Sequence, residues 1–402
     1  MWEQTPEDAE RIRVAVRDLL AEGLSRSEAT RIALLNNRAL QAAFEEIGIA
    51  EAHHVQSGLF TNPNLSVVLE FPSSLGNSGA TLLAMISDLW NIPVEEAITE
   101  RAAEVAVRRV AGQVVATAAD AGDAYDAVLS WSARRDIEAE LASLQRARLD
   151  RVRRRTTGRD DDSDLFEAEG SVTEQDLALA SAEKELAMSR ASLTELLGLA
   201  DDQALPALTD RLDVPPEGGV DAAAAVPFAL ANRFDVAAAA LTAEGAAESV
   251  EFEHRRVWGD VQGGPAYQGG FGQADSGGGA LSLAIPVFDQ HQAQIARTEY
   301  ELRRRQKQLE ETRLHARTQV LKALSEVAYR RRQVEALGVR ARRAGEIAHR
   351  AERRERGGTT DSTTAVSSRR VELAAQRAHL DAIGKLRGAE TELQRALWGA
   401  GS

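Results

Sequence analysis

The chain carries one order of predicted elements twice, and this internal repeat limits its possible folds more than any other feature. The stretch that begins at Ala33 reads ALLNNRALQAA, and the stretch that begins at Ala229 reads ALANRFDVAAA. These stretches align without a gap, although alanine-rich helices also match by chance. In both halves a helix, two strands, a long helix and a shorter returning helix follow one another in the same order, which indicates a duplicated unit.

In the first half, the pattern begins with a helix and two strands. The helix covers about 27–58 and ends before Asn62-Pro63-Asn64. Residues 65–71 then alternate imperfectly between apolar and small or polar side chains, which is typical of a strand with two different faces. A turn rich in Ser, Gly and Asn leads to a second strand at 80–87, so the strand pair as a whole spans 64–87.

A long helix and a shorter returning helix complete the first half. No proline interrupts 94–155, and apolar residues recur there at helical spacing. A helix of this length would measure roughly 90 Å. A turn within 156–170, rich in Asp, precedes a returning helix over 173–199. We therefore assign 1–200 to the first repeat and 201–220 to a linker.

The second half, 221–402, repeats this plan. Its predicted elements are a helix (221–257), a strand pair (260–286), a long helix (291–356) and a return helix (360–397). Within the strand pair, a glycine-rich turn is predicted at 269–279 and the second strand at 281–285. In the long helix, Val320, Val327 and Val334 mark a seven-residue spacing. Such spacing favours left-handed supercoiling against neighbouring helices.

The composition agrees with long helices and excludes several kinds of site. Aromatic residues make up only 4% of the chain, while Ala, Glu, Arg and Leu dominate. Those four side chains lose little rotamer freedom in a helix, so the sequence predicts a mainly α protein. The chain has no cysteine, which excludes disulfides, thiolate metal ligands and cysteine nucleophiles. The formal net charge of −14 argues against a nucleic-acid partner.

Four stretches occur in an order that characterises one known family. They are ALLNNRALQAAFEEIGIAEAHHVQSGLFTNPNLSVVLEFP (33–72), LLGL (196–199), ALANRFDVAAAALTAEGAAES (229–249) and LSLAIPVFDQHQAQIARTEYEL (281–302). Together they resemble the outer-membrane efflux proteins, the TolC-like channels. Gly170, Asp176 and the following alanines resemble the tip of that family's first hairpin. No single motif is specific, but the ordered set covers essentially the whole chain.

The resemblance implies a homotrimer in the outer membrane. Each subunit would give its long α-helical hairpins to a shared α-barrel that extends into the periplasm. It would also give four β-strands to a shared transmembrane β-barrel in contact with outer-membrane lipid. Four strands cannot close a barrel alone, and open strand edges are not tolerated in lipid, so strands from several chains must combine.

The function that the resemblance implies is a passive exit channel of a tripartite efflux or type I secretion system. A periplasmic adaptor (membrane fusion) protein would open its tip, and an inner-membrane pump would supply the energy. No catalytic activity, cofactor or metal site is expected. Two alternatives remain open: a periplasmic coiled-coil adaptor or envelope tether without a channel, and a soluble coiled-coil scaffold. Neither explains why a strand pair occurs twice at matching places. Metal ions, drugs and peptides remain alternative cargoes.

Hydropathy alone would suggest a soluble protein. We find no apolar run of the length of a membrane-spanning helix, although strands of a barrel need only about ten residues each. The start of the chain, Met1-Trp2-Glu3-Gln4, shows no export signal. We interpret the sequence as a mature form or an N-terminally incomplete gene product, because signal segments are removed on export.

The first hairpin turn carries a run of acidic side chains. The candidate gating residues there are Asp160, Asp161, Asp162, Asp164, Gly170 and Asp176. Threefold repetition would turn the carboxylates into an acidic ring at the channel entrance, which favours cations and can bind a basic adaptor tip. The alternative is a solvated loop, the usual meaning of a charge run. Asp176 also has the alternative role of a helix N-cap.

A run of cations precedes the second turn. The candidate residues there are Arg353, Arg354, Arg356, Gly357, Gly358 and Asp361. In one interpretation the arginines stabilise the C-terminal end of the long helix through the helix dipole. In the other they form a latch between subunits by pairing with the acidic turn. Asp361, like Asp176, has the alternative role of a helix N-cap.

Three aromatic residues lie at or near predicted strand ends. Trp90, Trp258 and Tyr267 are candidates for the aromatic belt at the bilayer surface. The alternative is packing at the joint between strands and helices. His53 and His54 are adjacent, so they point to different faces of a helix, which disfavours a shared metal.

Overall fold

The computed structural model describes residues 2–69, 77–156, 163–199, 205–216, 221–270, 274–357 and 362–399. The helices within these ranges are α1 (Pro6–Leu20), α2 (Arg26–Asn36), α3 (Arg38–Ser57), α4 (Asp88–Thr156), α5 (Ser163–Leu196), α6 (Ala222–Asn232), α7 (Phe234–Arg255), α8 (Gln292–Arg356) and α9 (Ser362–Trp398), with a short 3₁₀ helix at Arg256–Trp258. The strands are β1 (Asn64–Leu69), β2 (Asn77–Met85), β3 (Gln262–Gly270) and β4 (Ser276–Ser282). The mainly α fold with two strand pairs, as predicted, is confirmed.

The chain divides into two compact units, and each takes segments from both halves of the sequence. The helical unit comprises 1–42, 112–232 and 316–402. The sheet unit comprises 43–111 and 233–315. Both long helices, α4 and α8, contribute residues to both units.

The four strands form one antiparallel sheet in the order β1-β2-β3-β4. β2 and β3 keep one register from Thr81 opposite Ala266 to Ala84 opposite Gly263, with the two intervening pairs missing. The gap falls at Pro265, which has no N–H to donate to the ladder. At the same place a Cβ on Gly264 would lie 1.9 Å from the carbonyl oxygen of Leu82, so only glycine fits there.

The last strand lies earlier in the chain than the sequence predicts. Gly277, Gly278 and Gly279, which we expected in the turn, lie in β4, and residues 283–285, which we expected in the strand, do not. The physical reason is the start of β3 at Gln262, which pairs with Ser282. No residue of β3 is left to pair with the chain beyond that point.

Two helices that the sequence predicts as continuous are each broken once. The first breaks at Asn37 into α2 and α3, and the second breaks at Arg233 into α6 and α7. Both residues have extended backbone, with φ −65° and ψ 120° at Asn37 and φ −65° and ψ 131° at Arg233. The Asn37 side chain holds its break by donating to the carbonyl of Leu196 at 2.9 Å and accepting from the N–H of Leu40 at 2.9 Å. The two breaks fall at matching positions of the repeated stretch.

The core of the helical unit lies where α1, α2, α4 and the end of α5 meet. Its buried residues include Ile12, Leu24, Ile32, Tyr125 and Leu193. α1 is a helix that the repeat does not predict, although Thr5 and Asp8 form a capping box at its start.

The end of α5 is fixed against the end of α2. Gly198 has φ +63°, and a Cβ there would lie 2.3 Å from the carbonyl oxygen of Asn36. The Asn36 amide in turn donates to the carbonyls of Leu197 at 2.8 Å and Gly198 at 2.7 Å. Glycine is therefore required at this close approach.

One helical stretch among the described residues, Ala222–Trp258, has the length and composition to cross a membrane. This finding corrects our expectation that no such run exists. The stretch is not one straight helix, because it breaks at Arg233. It also contains a charged pair, because the buried guanidinium of Arg233 lies 2.7 Å from the carboxylate of Asp235. A single stretch of this kind is weak evidence for a membrane span.

Candidate functional site

One face of the sheet is apolar and exposed. Directly opposed residues of an antiparallel pair share a face, and the pairs Leu65–Leu82, Val67–Ala80 and Ala80–Tyr267 lie on this one. We call it the apolar face; its large side chains are Leu65, Val67, Leu69, Leu82, Tyr267 and Leu281. Leu65 is 62% exposed and Leu281 65% exposed, although both are aliphatic. Such a contiguous apolar surface needs a cover other than water.

The opposite face of the sheet is the more polar one, although Val68, Leu83 and Met85 also lie on it. It carries Ser66, Thr81, Gln262, Gln268 and Ser282, which alternate with the residues of the apolar face. No charged residue occurs in any of the four described strands. Antiparallel sheets of soluble domains also have one apolar and one polar face, but there the apolar face packs on a core and is not exposed.

The sheet has two open edges within the described chain. β1 pairs with β2 alone, and β4 pairs with β3 alone. The outward backbone groups of β1 and β4 are therefore free to pair with strands of another chain.

The end of the hairpin formed by α4 and α5 is held by ion pairs. Arg146 contacts Asp176 at 2.7 Å, and Arg153 contacts Glu169 at 3.0 Å. These pairs are exposed, so each contributes only about 0–1 kcal/mol. The residue number rises on α4 from one pair to the other while it falls on α5, so the two helices run antiparallel.

The structure corrects two expectations about this turn. α5 begins at Ser163, so Gly170 lies inside a helix and not at the end of a turn. Asp176 also lies inside α5, so its alternative role as an N-cap is wrong; its carboxylate pairs with Arg146. Asp164 lies in the first turn of α5, where a negative charge is favourable to the helix dipole.

The cationic run before the second turn lies in the last turn of α8. Arg353, Arg354 and Arg356 occupy that turn, as the helix-dipole interpretation expects. Arg356 lies 3.7 Å from Glu352 on its own helix, and the N–H of Gly357 donates to the carbonyl of Arg353 at 3.1 Å. Five candidate residues lie outside the described residues: Asp160, Asp161, Asp162, Gly358 and Asp361.

A row of ion pairs that no local sequence pattern predicts joins α4 to α9. We call it the α4–α9 seam; in its five closest pairs the carboxylate comes from α4 and the guanidinium from α9, while Arg134 of α4 lies 3.9 Å from Asp381 of α9 in the opposite sense. Its pairs are Asp120–Arg395 (2.6 Å), Asp123–Arg395 (2.9 Å), Asp126–Arg387 (2.6 Å), Glu138–Arg377 (2.9 Å) and Glu140–Arg369 (2.6 Å). As the number rises on α4 it falls on α9, so the two helices run antiparallel.

Glu138 is the most deeply buried carboxylate of the seam. Its side chain is only 2% exposed, while that of Arg377 is 39% exposed. Gln175 of α5 also donates to the Glu138 carboxylate, at 2.6 Å. Glu138 thus joins three helices, two from the first half of the chain and one from the second.

Asp126 anchors the seam to the segment between the two repeats. Besides Arg387, it accepts from Arg26 of α2 at 3.1 Å. Arg387 also donates to the backbone carbonyls of Arg211 and Asp213, at 3.2 Å and 3.0 Å. Nearby, burial raises the pKa of Asp123, which hydrogen bonding to Thr391 and the charge of Arg395 partly oppose.

The three aromatic candidates differ in their exposure to solvent. Trp258 is exposed at the end of the 3₁₀ helix, directly before β3. Tyr267 is exposed within β3, on the apolar face. Trp90 is half-buried in the first turn of α4, and its backbone carbonyl accepts from Arg255 at 3.2 Å.

The described residues contain no group of three or more His, Cys, Asp or Glu side chains placed to hold a metal ion. His54 instead contacts the hydroxyl of Thr99 at 3.2 Å. The Gly263-Gly264 pair and the glycines at 277–279 lie inside β3 and β4 and not in a loop that leads into a helix.

No protein-family model and no curated protein sequence matches the chain. Solved structures match nearly all of it. The open-state outer membrane channel MtrE of Neisseria gonorrhoeae has a TM-score of 0.76 at 16% identity, over 92% of this chain and 88% of its own. The outer membrane channel CmeC of Campylobacter jejuni has a TM-score of 0.74 at 14% identity, over 96% and 87%. The outer membrane protein VceC of Vibrio cholerae has a TM-score of 0.72 at 15% identity, over 94% and 96%.

At these identities the likeness concerns architecture, and the architecture agrees with the expectation drawn from the sequence motifs. The matches cover 92% to 96% of this chain, so they extend over its long helices and its four-stranded sheet. The chain has the fold of the TolC-like outer-membrane channels.

Proposed function

We propose that this chain is one subunit of an outer-membrane exit channel, a passive duct without catalytic chemistry. The observation that carries the proposal is the sheet, which combines an exposed apolar face, an uncharged polar face and two open edges. In water such a sheet would leave a contiguous patch of aliphatic side chains exposed, which is unfavourable. In a bilayer the apolar face contacts lipid and the polar face lines a wet lumen.

The open edges support a homotrimer. An unpaired backbone group in hydrocarbon costs several kcal/mol, so β1 and β4 need partners there. Identical copies satisfy both edges when β4 of one subunit pairs with β1 of the next, which makes a closed ring. The fold of outer-membrane channels favours this arrangement over a periplasmic adaptor, tether or soluble scaffold, none of which needs an apolar sheet face.

The helical hairpins would continue the duct into the periplasm and open at their turns. In this proposal a periplasmic adaptor docks at the turns, and an inner-membrane pump supplies the energy. The gating candidates within the described residues are Asp164, Gly170 and Asp176 on α5, which follows the first hairpin turn, and Arg353 to Gly357 at the end of α8. The α4–α9 seam would hold the two hairpins of one subunit together while the turns move.

The two-repeat organisation also stays a proposal, and the burial pattern supports it. Ala29 and Ala33 of α2 are buried, and so are Ala225 and Ala229 at the matching positions of α6. We infer that 1–200 and 221–402 are copies of one unit, joined by the linker 201–220.

Two adjacent residues of β1 test the proposal, because they lie on opposite faces of the sheet. A cation on the lipid face costs about 2–4 kcal/mol at the bilayer midplane, so Val67→Lys is expected to reduce insertion into liposomes severalfold. Ser66→Lys places the same charge on the polar face, so we expect it to insert normally and to shift the ion selectivity of channels in planar bilayers toward anions.

Membrane flotation and bilayer conductance measure these two effects. Equal insertion of the two variants, or a chain that stays a soluble monomer in the presence of lipid, would contradict an exit channel.

A further inference from the structure

The four connections between strands and helices lie at one end of the sheet. β1 and β3 follow helical segments, and β2 and β4 precede α4 and α8. Because neighbouring strands are antiparallel, the beginnings of β1 and β3 lie beside the ends of β2 and β4. We call this the junction end of the sheet.

Each of the four junctions exposes at least one large apolar side chain. These side chains are Phe60 (64% exposed), Leu89 (65%), Trp258 (61%) and Phe288 (93%). Single exposed hydrophobic residues are common on protein surfaces. Four of them, one at each junction along the same end of a sheet, form a row that calls for a common cover.

The segment between β4 and α8 extends this row, and we call residues 283–288 the junction segment. A Cβ on Gly259 would lie 3.5 Å from the Cβ of Ala284, so Ala284 faces the chain before β3. Its neighbours Leu283 and Ile285 are exposed, and they continue the alternation that places Leu281 on the apolar face. The apolar face thus reaches beyond the paired strands.

Four polar residues follow the junction segment directly, and two of them make contacts that fix its end. Its last residue, Phe288, is followed by Asp289, Gln290, His291 and Gln292. His291 Nδ1 lies 3.2 Å from the Glu253 carboxylate of α7, and the Gln292 side chain donates to the Phe288 carbonyl at 3.3 Å. A change from apolar to polar side chains over so few residues is typical of a membrane–water boundary.

We propose that the junction segment and the four exposed side chains of the row contact lipid at the boundary of the bilayer, with Phe288 as the anchor that sets the depth of the sheet. The inference rests on the proposed function, since it assumes that the apolar face lies in the membrane. The bilayer is a better cover than a second copy of the chain. Leu89 and Trp258 adjoin β2 and β3, which already have a paired strand on both sides. A strand of another copy can reach only β1 and β4.

Single-site spin labelling tests the inference. The sequence has no cysteine, so the label attaches only to the cysteine that is introduced. The full chain is labelled at Phe288→Cys and reconstituted in phosphatidylcholine–phosphatidylglycerol liposomes. Collision rates are measured with oxygen, which concentrates in lipid, and with a water-soluble nickel chelate. Because Phe288 is almost fully exposed, its replacement removes no packing in the subunit.

Two further labels make the result decisive. Leu65→Cys reports on the apolar face itself, and Ala293→Cys reports on an exposed position in the first turn of α8, just beyond the polar change. We expect the ratio of oxygen to nickel collisions to be severalfold higher at 288 and 65 than at 293. A lipid-like ratio at 65 with a water-like ratio at 288, or with both reagents excluded at 288, would overturn the lipid anchor and leave the channel intact. A ratio at 65 that is not lipid-like would overturn both proposals.

Discussion

Tyr125 shows how one side chain holds several parts of the helical unit. It is fully buried, and its hydroxyl donates to the carbonyl of Leu24 at 2.9 Å and accepts from the N–H of Asp210 at 3.3 Å. Burial raises the pKa of Tyr125 to about 12, so the phenol stays protonated at all ordinary pH values. One phenol therefore ties α4 to the α1–α2 connection and to the described segment 205–216.

Replacing this tyrosine with phenylalanine should destabilise the helical unit. Tyr125→Phe removes the bond to the carbonyl of the buried Leu24 and the bond from the N–H of the exposed Asp210, which can turn to water, so we expect a loss of about 1 kcal/mol. Thermal unfolding in detergent measures the change. The matched control is Tyr329→Phe on the exposed side of α8, where we expect a change within about 0.5 kcal/mol. Equal effects of the two substitutions would contradict the role of the Tyr125 hydroxyl.

At the residue scale the sequence predicts side-chain types better than partners. Asp176 was visible as a carboxylate near a turn, but its partner Arg146 lies one helix away. The sequence does not distinguish Glu138 from the other carboxylates of α4, because its burial arises only when α4, α5 and α9 meet. Local patterns predict N-caps and charge runs, whereas ion pairs between helices depend on packing that no short window of sequence contains.

At the scale of elements, periodicity located the long helices well and the strand ends less well. α8 begins at Gln292, one residue from its predicted start. α4 begins at Asp88 and not at residue 94, because the helix accommodates Pro93 near its N-terminus. β4 lies several residues early, because pairing with β3 decides where a glycine-rich strand ends. Helical periodicity is a property of one segment, while a strand end depends on its neighbour.

The α4–α9 seam should stabilise the contact between the two halves of the chain. Arg377→Met leaves the buried Glu138 carboxylate with Gln175 and the more distant Arg134 at 3.8 Å. Removing one partner of a fully buried pair costs about 3–5 kcal/mol. Arg377 is partly exposed, so we expect a smaller loss, about 1–3 kcal/mol after allowance for solvent screening.

A second substitution separates the ion pair from simple packing. Glu138→Leu combined with Arg377→Met removes the buried charge as well, and we expect it to recover part of the stability lost in the single variant. Arg356→Met, which breaks an exposed pair on α8, serves as the control and should cost less than about 1 kcal/mol. A double variant that is less stable than Arg377→Met alone would contradict an unpaired charge as the source of the loss.

The contact between α8 and α9 should weaken in acid. His379 of α9 lies against Gly338 of α8, where a Cβ would lie 3.0 Å from its ring. Burial, and then the charge of Arg342, lowers the pKa of His379 below its ordinary 6.5. The unfolded chain therefore binds this proton more readily than the folded chain. The stabilising contribution is complete above pH 6.5 and is lost as pH falls toward the folded-state pKa.

Substitution of the histidine tests this pH dependence. His379→Gln is expected to flatten the decline of the unfolding temperature on the acid side of pH 6.5. His349→Gln, at an exposed position of α8, should leave the decline unchanged. An identical pH profile for the natural chain and His379→Gln would show that other groups cause the acid sensitivity.

At the scale of the whole molecule, the sequence predicts the order of elements but not which halves meet. The repeat suggested two successive units, whereas each compact unit draws on both halves of the chain. The seam gives the clearest example, since α4 belongs to the first half and α9 to the second. The acidic residues of α4 and the arginines of α9 become complementary only when the antiparallel alignment is known. Long-range pairing of this kind leaves no periodic signal in either helix.

The largest assembly is testable at the two open edges of the sheet. In a closed ring, β1 of one subunit lies beside β4 of the next, and Asn64 and Ser282 both lie at the junction end. Within one subunit, β1 and β4 are three strand spacings apart, about 14 Å. A disulfide requires Cα atoms within about 7 Å, so it cannot form inside one sheet between these strands.

The double variant Asn64→Cys/Ser282→Cys should therefore link subunits. Under mild oxidation in liposomes we expect disulfide-linked dimers and trimers on non-reducing denaturing gels, and no larger species, because a ring of three copies closes. The control, Thr81→Cys/Ala266→Cys, joins two directly opposed residues of β2 and β3, so it should give only internally linked monomers. Monomers alone from the edge variant would argue against strand pairing between copies, and a ladder beyond trimer would show that the edges join without closing a ring.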